Sequence, residues 1–221
     1  MSSRDNQLWL QLWRDQQTDF HQQSVNPLLV RFWSGLEHVR KSRVFVPLCG
    51  KSLDMIWLSR QGHEVIGVEL SPIAVRDFFK ENRMQPVKRQ LGKFTLWQHG
   101  NISILCGDYF CLDQTILGPV DTVYDRAALT ALPEDIRKLY VAHLYQIIPV
   151  QANVFLLTIE DADEPGSQGE TESVDAEVRQ LYSDWFSIHL AYVETVLEPN
   201  PELPGTEPVQ AEYKVYQLSR K

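Results

Sequence analysis

Predicted strands and predicted helices alternate along the first two thirds of the chain, and few folds accommodate that order. Arg43–Pro47 is a short apolar strand candidate, and a predicted helix over Asp54–Arg60 follows it. Glu64–Leu70 predicts the next strand. Ser71 then caps a new helix, with Pro72 in its first turn. Strands joined through helices lie parallel with right-handed crossovers, so this order predicts a doubly wound α/β fold.

The rest of the chain continues the sheet and then changes its direction. Further strands are predicted over Lys93–Gln98, Asn101–Cys106 and Val120–Tyr124, and a helix over Pro133–Ile148. Asn153–Glu160 is almost wholly apolar, as expected of a strand that is covered on both faces. After a helix near Val174–Tyr182, strands at Ile188–Leu197 and Ala211–Leu218 flank a proline-rich connection. This pattern favours antiparallel strands at the end of the sheet.

Charge and cysteine content exclude several classes of function. The 221 residues, enough for one domain, carry 21 Lys and Arg against 29 Asp and Glu, a net charge of -8. Such a surface repels nucleic-acid phosphates and anionic lipid, so we expect neither as a partner. Three cysteines without metal-ligand spacing argue against a disulfide framework or a zinc site. The N-terminus lacks the apolar core of a signal peptide, and we expect a cytoplasmic protein.

The turn after the first predicted strand is the first candidate binding element, because open parallel sheets bind ligands beyond the carboxyl ends of their strands. Its residues 46–52 read VPLCGKS. A phosphate-binding P-loop needs a glycine five positions before Gly50, where Phe45 stands. A dinucleotide fingerprint needs three glycines, and this turn has one. Both phosphate-binding interpretations are therefore excluded.

Glu69 ends the next predicted strand, about 20 residues after the turn, where an acidic side chain can accept the hydroxyl hydrogens of a ribose. A cofactor with a ribose but no phosphate fits both this acid and the single-glycine turn. S-adenosylmethionine is the obvious candidate. The alternative interpretation is a solvated carboxylate at a strand end.

Two later strand ends carry further candidate ligands. Asp108 could accept the adenine amino group while Tyr109 covers the ring, although Gly107 and Asp108 also form an ordinary turn motif. Arg126 could neutralise the carboxylate of the methionine part or hold an anionic acceptor, since its planar fork suits either. A surface ion pair between Arg126 and Asp125 is the alternative.

Three segments strongly resemble the thiopurine S-methyltransferase family in its bacterial form: Val46–Leu58, Gly67–Ser71 and Tyr124–Pro133. Matches in the N-terminal region are Trp9, Trp13, Phe20, His21, Val25 and Asn26. The resemblance is dense to about Tyr140 and thin afterwards. It implies a class I methyltransferase, with a Rossmann-like, mostly parallel seven-stranded sheet that ends in antiparallel strands. It also implies a single domain over residues 1–221, and we expect a monomer.

The resemblance further implies S-adenosylmethionine as cofactor and no metal. The cofactor-binding residues would be Trp9, Trp13, Leu48, Gly50, Glu69, Asp108, Tyr109 and Arg126. Residues 1–25 would form a lid, and Phe20 and Arg126 would position the acceptor. A sulfonium methyl is already activated, so alignment, water exclusion and cation–π contacts carry the chemistry. No strong general base is required, and His21 is assigned no catalytic role. The alternative for the aromatic residues Trp9, Trp13 and Phe20 is that they pack as the apolar face of an ordinary amphipathic helix.

The expected reaction is methyl transfer to a thiopurine or another small aromatic or heterocyclic thiol, with selenium or tellurium compounds as further acceptors. Residues 160–172 depart from the family pattern, with six carboxylates and no Lys or Arg. If this segment lies at the acceptor site, its negative charge would disfavour anionic acceptors. The alternative is a solvated surface loop that makes no contact with the acceptor. Two alternatives stay open: a methyltransferase of the same fold for a halide or a simple thiol, and a cofactor-binding protein without turnover.

Overall fold

The computed structural model describes residues 3–18, 21–35, 41–126, 128–161, 174–198 and 207–221. Within these residues the strands are β1 Arg43–Val46, β2 Glu64–Glu69, β3 Val87–Leu91, β4 Phe94–His99, β5 Ile102–Cys106, β6 Thr122–Arg126, β7 Asn153–Asp161, β8 Phe186–Glu198 and β9 Val209–Arg220. The helices are α1 Ser3–Arg14, α2 Pro27–Phe32, α3 Asp54–Arg60, α4 Pro72–Glu81, α5 Gln114–Leu117, α6 Ala128–Ala131, α7 Glu134–Ile147 and α8 Val174–Tyr182. Short 3-10 turns follow α2 and β5.

All nine strands belong to one sheet in the order β3-β4-β5-β2-β1-β6-β7-β9-β8. The five central strands, β5, β2, β1, β6 and β7, run parallel to one another. The C-terminal strands β9 and β8 are antiparallel. The predicted doubly wound α/β class, with an antiparallel end, is therefore confirmed.

The predicted number of seven strands is wrong, because a hairpin of β3 and β4 extends the sheet past β5. Val87–Leu91 has the sequence VKRQL, and four of its five residues are exposed. A strand that buries neither face shows no apolar alternation, so its residues carry no sequence signal for β3. Apart from this hairpin, the sheet has the seven strands that the family resemblance implies. The strand β4 is itself predicted from the sequence, so β3 is the strand that sequence reasoning missed.

The core lies on both faces of the sheet, as the apolar β7 predicted. Val154 and Leu156 pack in the cluster that contains α7, whereas Phe155 and Leu157 pack with α3 and α4 on the other face. All four side chains are buried. Helices on both faces leave the carboxyl ends of the parallel strands as one open edge of the sheet, where a ligand can bind.

Caps fix where two of the helices begin. The Asn26 side chain accepts hydrogen bonds from the N–H groups of Leu28 at 2.9 Å and Leu29 at 3.4 Å. Ser71 accepts from the Ala74 N–H at 3.3 Å. The second cap fixes the start of α4 directly after Glu69, at the edge of the sheet where the site forms.

Candidate cofactor and acceptor site

A pocket opens at the carboxyl ends of β1, β2 and β6 and is covered in part by α1. Its lining residues are Trp9, Trp13, His21, Leu48, Cys49, Gly50, Lys51, Ser52, Glu69, Leu70, Arg126, Ala128, Ala131 and Leu132. Six of the predicted site residues are therefore brought together in this wall: Trp9, Trp13, Leu48, Gly50, Glu69 and Arg126.

The loop after β1 is shaped by two residues with positive φ. Leu48 has φ +46° and Gly50 has φ +53°, while the Cys49 N–H between them donates to the Val68 carbonyl at 3.0 Å. A Cβ atom on Gly50 would lie 3.3 Å from Cζ2 of Trp13. Glycine at this position therefore permits both the left-handed backbone and the close approach of α1.

Glu69 is a buried carboxylate that the backbone holds in place. Its Oε2 accepts from the Gly50 N–H at 2.9 Å and its Oε1 from the Ser71 N–H at 2.7 Å. Burial raises the pKa of Glu69, and these backbone hydrogen bonds oppose the rise. The residue is 7% exposed, so the interpretation as a solvated strand-end acid is wrong. Each oxygen keeps a second lone pair for a ligand hydroxyl.

Arg126 is held by an ion pair that the sequence did not indicate. Its Nε lies 2.9 Å from Oδ2 of Asp54, and its Nη2 donates to Ser52 Oγ at 3.4 Å. The alternative partner, Asp125, is fully buried and accepts from the Tyr140 hydroxyl at 2.6 Å. The surface ion pair between Arg126 and Asp125 is therefore ruled out by the burial of Asp125.

Asp54 is the main site residue that sequence reasoning missed. It is 1% exposed, and its carboxylate accepts from the Asn26 N–H at 2.8 Å and the Tyr124 hydroxyl at 2.8 Å, besides pairing with Arg126. It thus joins the segment before α2, the start of α3 and the end of β6. The available signal, an acid in the first turn of α3, indicates ordinary helix-dipole stabilisation.

Asp108 and Tyr109 lie outside the pocket wall. Tyr109 is 3% exposed, its hydroxyl donates to the Tyr140 carbonyl at 3.1 Å, and its ring packs 4.9 Å from that of Tyr140. The prediction that Tyr109 covers an adenine ring is therefore wrong, because its side chain packs in the core against Tyr140. Asp108 caps the following 3-10 turn through the Phe110 N–H at 3.0 Å and accepts from Asn6 Nδ2 of α1 at 2.9 Å.

The N-terminal aromatic residues approach the pocket from α1. Trp13 is 5% exposed and, like Trp9, lines the pocket. Asn6, Trp9 and Trp13 follow the i, i+3, i+7 spacing of one helix face. Phe20, the predicted acceptor-positioning residue, lies outside the described residues, as do residues 162–172 of the acidic segment.

The described residues contain no cluster of three or more His, Cys, Asp or Glu side chains that could hold a metal ion. They also contain no helix with the length and apolar character that crossing a membrane requires.

The fold is that of the class I S-adenosylmethionine-dependent methyltransferases. Among solved structures, the chain is similar to the 1,6-didemethyltoxoflavin-N1-methyltransferase of Burkholderia thailandensis, which was solved with 1,6-didemethyltoxoflavin and S-adenosylhomocysteine bound. The TM-score is 0.62 at 14% identity, over 97% of this chain and 87% of that chain.

The sequence comparisons give the family. The thiopurine S-methyltransferase family model matches residues 4–221. The chain is 58% identical to a thiopurine S-methyltransferase of Stutzerimonas stutzeri, over 100% of this chain and 93% of the relative. It is 44% identical to one of Methylococcus capsulatus, over 90% of each chain. The chain belongs to the thiopurine S-methyltransferase family, which confirms the resemblance seen in the sequence.

Proposed function

We propose that this protein transfers the methyl group of S-adenosylmethionine to the sulfur of a thiopurine or another small aromatic or heterocyclic thiol. The observation that carries the proposal is the buried Glu69 carboxylate, which two backbone N–H groups hold in the wall of a pocket that tryptophans cover. Family membership supports methyl transfer to sulfur.

The residues of the pocket fit this cofactor. Glu69 would accept hydrogen bonds from the ribose hydroxyls, because each of its oxygens retains a lone pair. Arg126 would bind the carboxylate of the methionine part, since its guanidinium has five N–H donors, more than its contacts with Asp54 and Ser52 require. When bound, S-adenosylmethionine supplies a methyl group on a positively charged sulfur. The indole faces of Trp9 and Trp13 suit a cation of this kind.

The helix α1 would act as the lid within one domain. Trp9 and Trp13 line the pocket from this helix, and Asn6 donates to Asp108 in the turn after β5. A closed helix would exclude water from the transferring methyl group and hold the acceptor sulfur in line behind it. Opening and closing of α1 would then accompany each turnover.

The acceptor would lie against the apolar part of the wall formed by Ala128, Ala131 and Leu132. The two alanine side chains leave room for a planar ring, and Arg126 borders the same region. Selenium and tellurium compounds, which are soft nucleophiles like thiols, would be further acceptors. We also propose that the protein is a monomer and that it is cytoplasmic. Its three free cysteines, Cys49, Cys106 and Cys111, favour a reducing compartment.

Two measurements test the proposed function. Calorimetry with S-adenosylhomocysteine should show a single binding site per chain. A labelled-methyl assay over a panel of aromatic thiols, alkyl thiols and halides should then show transfer to the aromatic thiols first. Transfer only to halides or simple thiols would favour the first alternative, and binding without any transfer would favour the protein without turnover.

A further inference from the structure

His21 lies in the pocket wall, although sequence reasoning assigns it no role. Its ring is partly buried and lines the pocket together with Lys51 and Arg126. Its backbone N–H donates to the Thr18 carbonyl at 2.8 Å, so His21 lies beside the residues that follow α1. The position places an imidazole beside the region where the acceptor would bind.

The ring of His21 differs from two other histidine rings that are partly or fully buried. His63 bonds to the Trp33 indole at 3.1 Å and to the Ser42 hydroxyl, and His143 Nε2 lies 3.1 Å from the Tyr109 carbonyl. These two rings are structural. Within the described parts of the chain, the imidazole of His21 makes no such hydrogen bond. Its nitrogens are therefore available to a molecule in the pocket.

Burial, together with the surrounding charges, keeps the ring of His21 neutral, and so able to accept a proton, at pH 7. Burial lowers its pKa below 6.5, and Lys51 and Arg126 lower it further against the opposing effect of Glu81 and Asp54. Each of these cations is paired, Lys51 with Glu81 at 2.8 Å and Arg126 with Asp54 at 2.9 Å. Both side chains thus act as hydrogen-bond donors to carboxylates, and the imidazole of His21 lies beside them as a candidate proton acceptor.

The other titratable groups of the described lining are unsuited to this task. Burial raises the pKa of the Cys49 thiol well above its usual range, so it stays protonated. Both oxygens of Glu69 are already bound to backbone N–H groups on the side of the pocket assigned to the ribose. Of the described lining side chains, His21 is the one with the chemistry of a general base at pH 7.

We propose that His21 is the general base that removes the proton of a neutral thiol acceptor; this assignment rests on the proposed function. As the acceptor sulfur bonds to the methyl carbon, its proton passes to an imidazole nitrogen of His21. The bond between methyl carbon and sulfonium sulfur breaks, and its electron pair stays on the sulfur of the product S-adenosylhomocysteine. The imidazolium then releases the proton to solvent. A thiol that is already ionised needs no such base.

The experiment compares two acceptors of one aromatic series in wild type, His21→Gln and His21→Asn. One acceptor is fully ionised at pH 7 and the other is mostly protonated. For the protonated acceptor we expect kcat/KM to fall about 100-fold or more in both variants. For the ionised acceptor we expect a change of less than about threefold, since no proton has to be removed. His143→Gln, a matched change of a partly buried histidine outside the pocket, should leave both values near wild type.

The pH profile and ligand binding give two more measurements. In wild type, kcat/KM for the protonated acceptor should be level above the pKa of His21 and fall below it. In His21→Gln only the ionised thiol can react, so kcat/KM should fall steadily with pH below the pKa of the thiol and lack the level region. Calorimetry should give His21→Gln the wild-type affinity for S-adenosylhomocysteine. Equal losses with both acceptors, or an unchanged pH profile, would overturn the role of His21 alone. A wild-type protein that binds S-adenosylhomocysteine but methylates no thiol would overturn the proposed function, and this assignment with it.

Discussion

At the scale of single residues, the site depends on two buried carboxylates with different tasks. Glu69 is fixed by backbone N–H groups and keeps lone pairs for a ligand. Asp54 uses its oxygens internally, on Asn26, Tyr124 and Arg126. Loss of Glu69 should therefore act on binding, whereas loss of Asp54 should act on the fold.

Replacing Glu69 by alanine should weaken S-adenosylhomocysteine binding by about 1 to 3 kcal/mol, because the ribose hydroxyls lose a charged hydrogen-bond acceptor. Isothermal calorimetry measures the change. Glu64→Ala, at the exposed start of the same strand, is the matched control and should bind like wild type. Equal affinities in wild type and Glu69→Ala would contradict the ribose assignment.

Replacing Asp54 by alanine should lower the free energy of unfolding by about 3 to 5 kcal/mol, because Arg126 and two further donors lose a buried partner. Urea denaturation measures it. Asp77→Ala, which removes an exposed ion pair with Arg76, is the control and should keep wild-type stability. Similar losses of unfolding free energy in Asp54→Ala and Asp77→Ala would show that the buried contacts of Asp54 contribute no more than an exposed ion pair.

At the scale of elements, α1 and the edge hairpin show what sequence patterns reveal and what they miss. The helix starts, the apolar β7 and Glu69 at the end of β2 follow from local caps and apolar runs, which act over a few residues. The strand β3 and the partners of Asp54 depend on contacts between distant parts of the chain. The prediction for Tyr109 is wrong because its position after a strand does not determine whether the side chain points to the pocket or to the core.

The hydrogen bond from Asn6 to Asp108 connects α1 to the turn after β5. Asn6→Ala removes its hydrogen bond to Asp108, and we expect S-adenosylhomocysteine to dissociate about fivefold faster, which corresponds to about 1 kcal/mol. Stopped-flow tryptophan fluorescence measures the rate. Gln11→Ala, an exposed change on the same helix, is the control. An unchanged dissociation rate in Asn6→Ala would show that this hydrogen bond does not hold the lid.

At the scale of the whole molecule, a buried acid makes stability depend on pH. Burial raises the pKa of Asp125 to about 6, against the hydrogen bond from Tyr140. The unfolded chain ionises this group near its usual pKa of about 4, so the unfolded state binds fewer protons between about pH 4 and 6. The contribution of Asp125 to stability therefore falls as the pH rises through this window and stays low above it.

Asp125→Asn should consequently be more stable than wild type at pH 8, by about 1 to 3 kcal/mol, and the gain should shrink as the pH falls from about 6 to about 4. The asparagine side chain keeps an oxygen that can accept from the Tyr140 hydroxyl. Urea denaturation from pH 4 to 8 measures both effects. Asp121→Asn, an exposed change directly before the same strand, provides the comparison. A gain that is the same at every pH would contradict the assigned titration.

Gly50 lies between the buried carboxylate of Glu69 and the indole of Trp13. Its N–H supports Glu69 below, and its missing side chain leaves space for the indole of Trp13 above. Any larger residue would have to adopt a left-handed backbone and push that indole outward at the same time. A single methyl group added at this point would thus disturb both the support of the Glu69 carboxylate and the packing of the Trp13 indole, so even alanine is not a conservative replacement there.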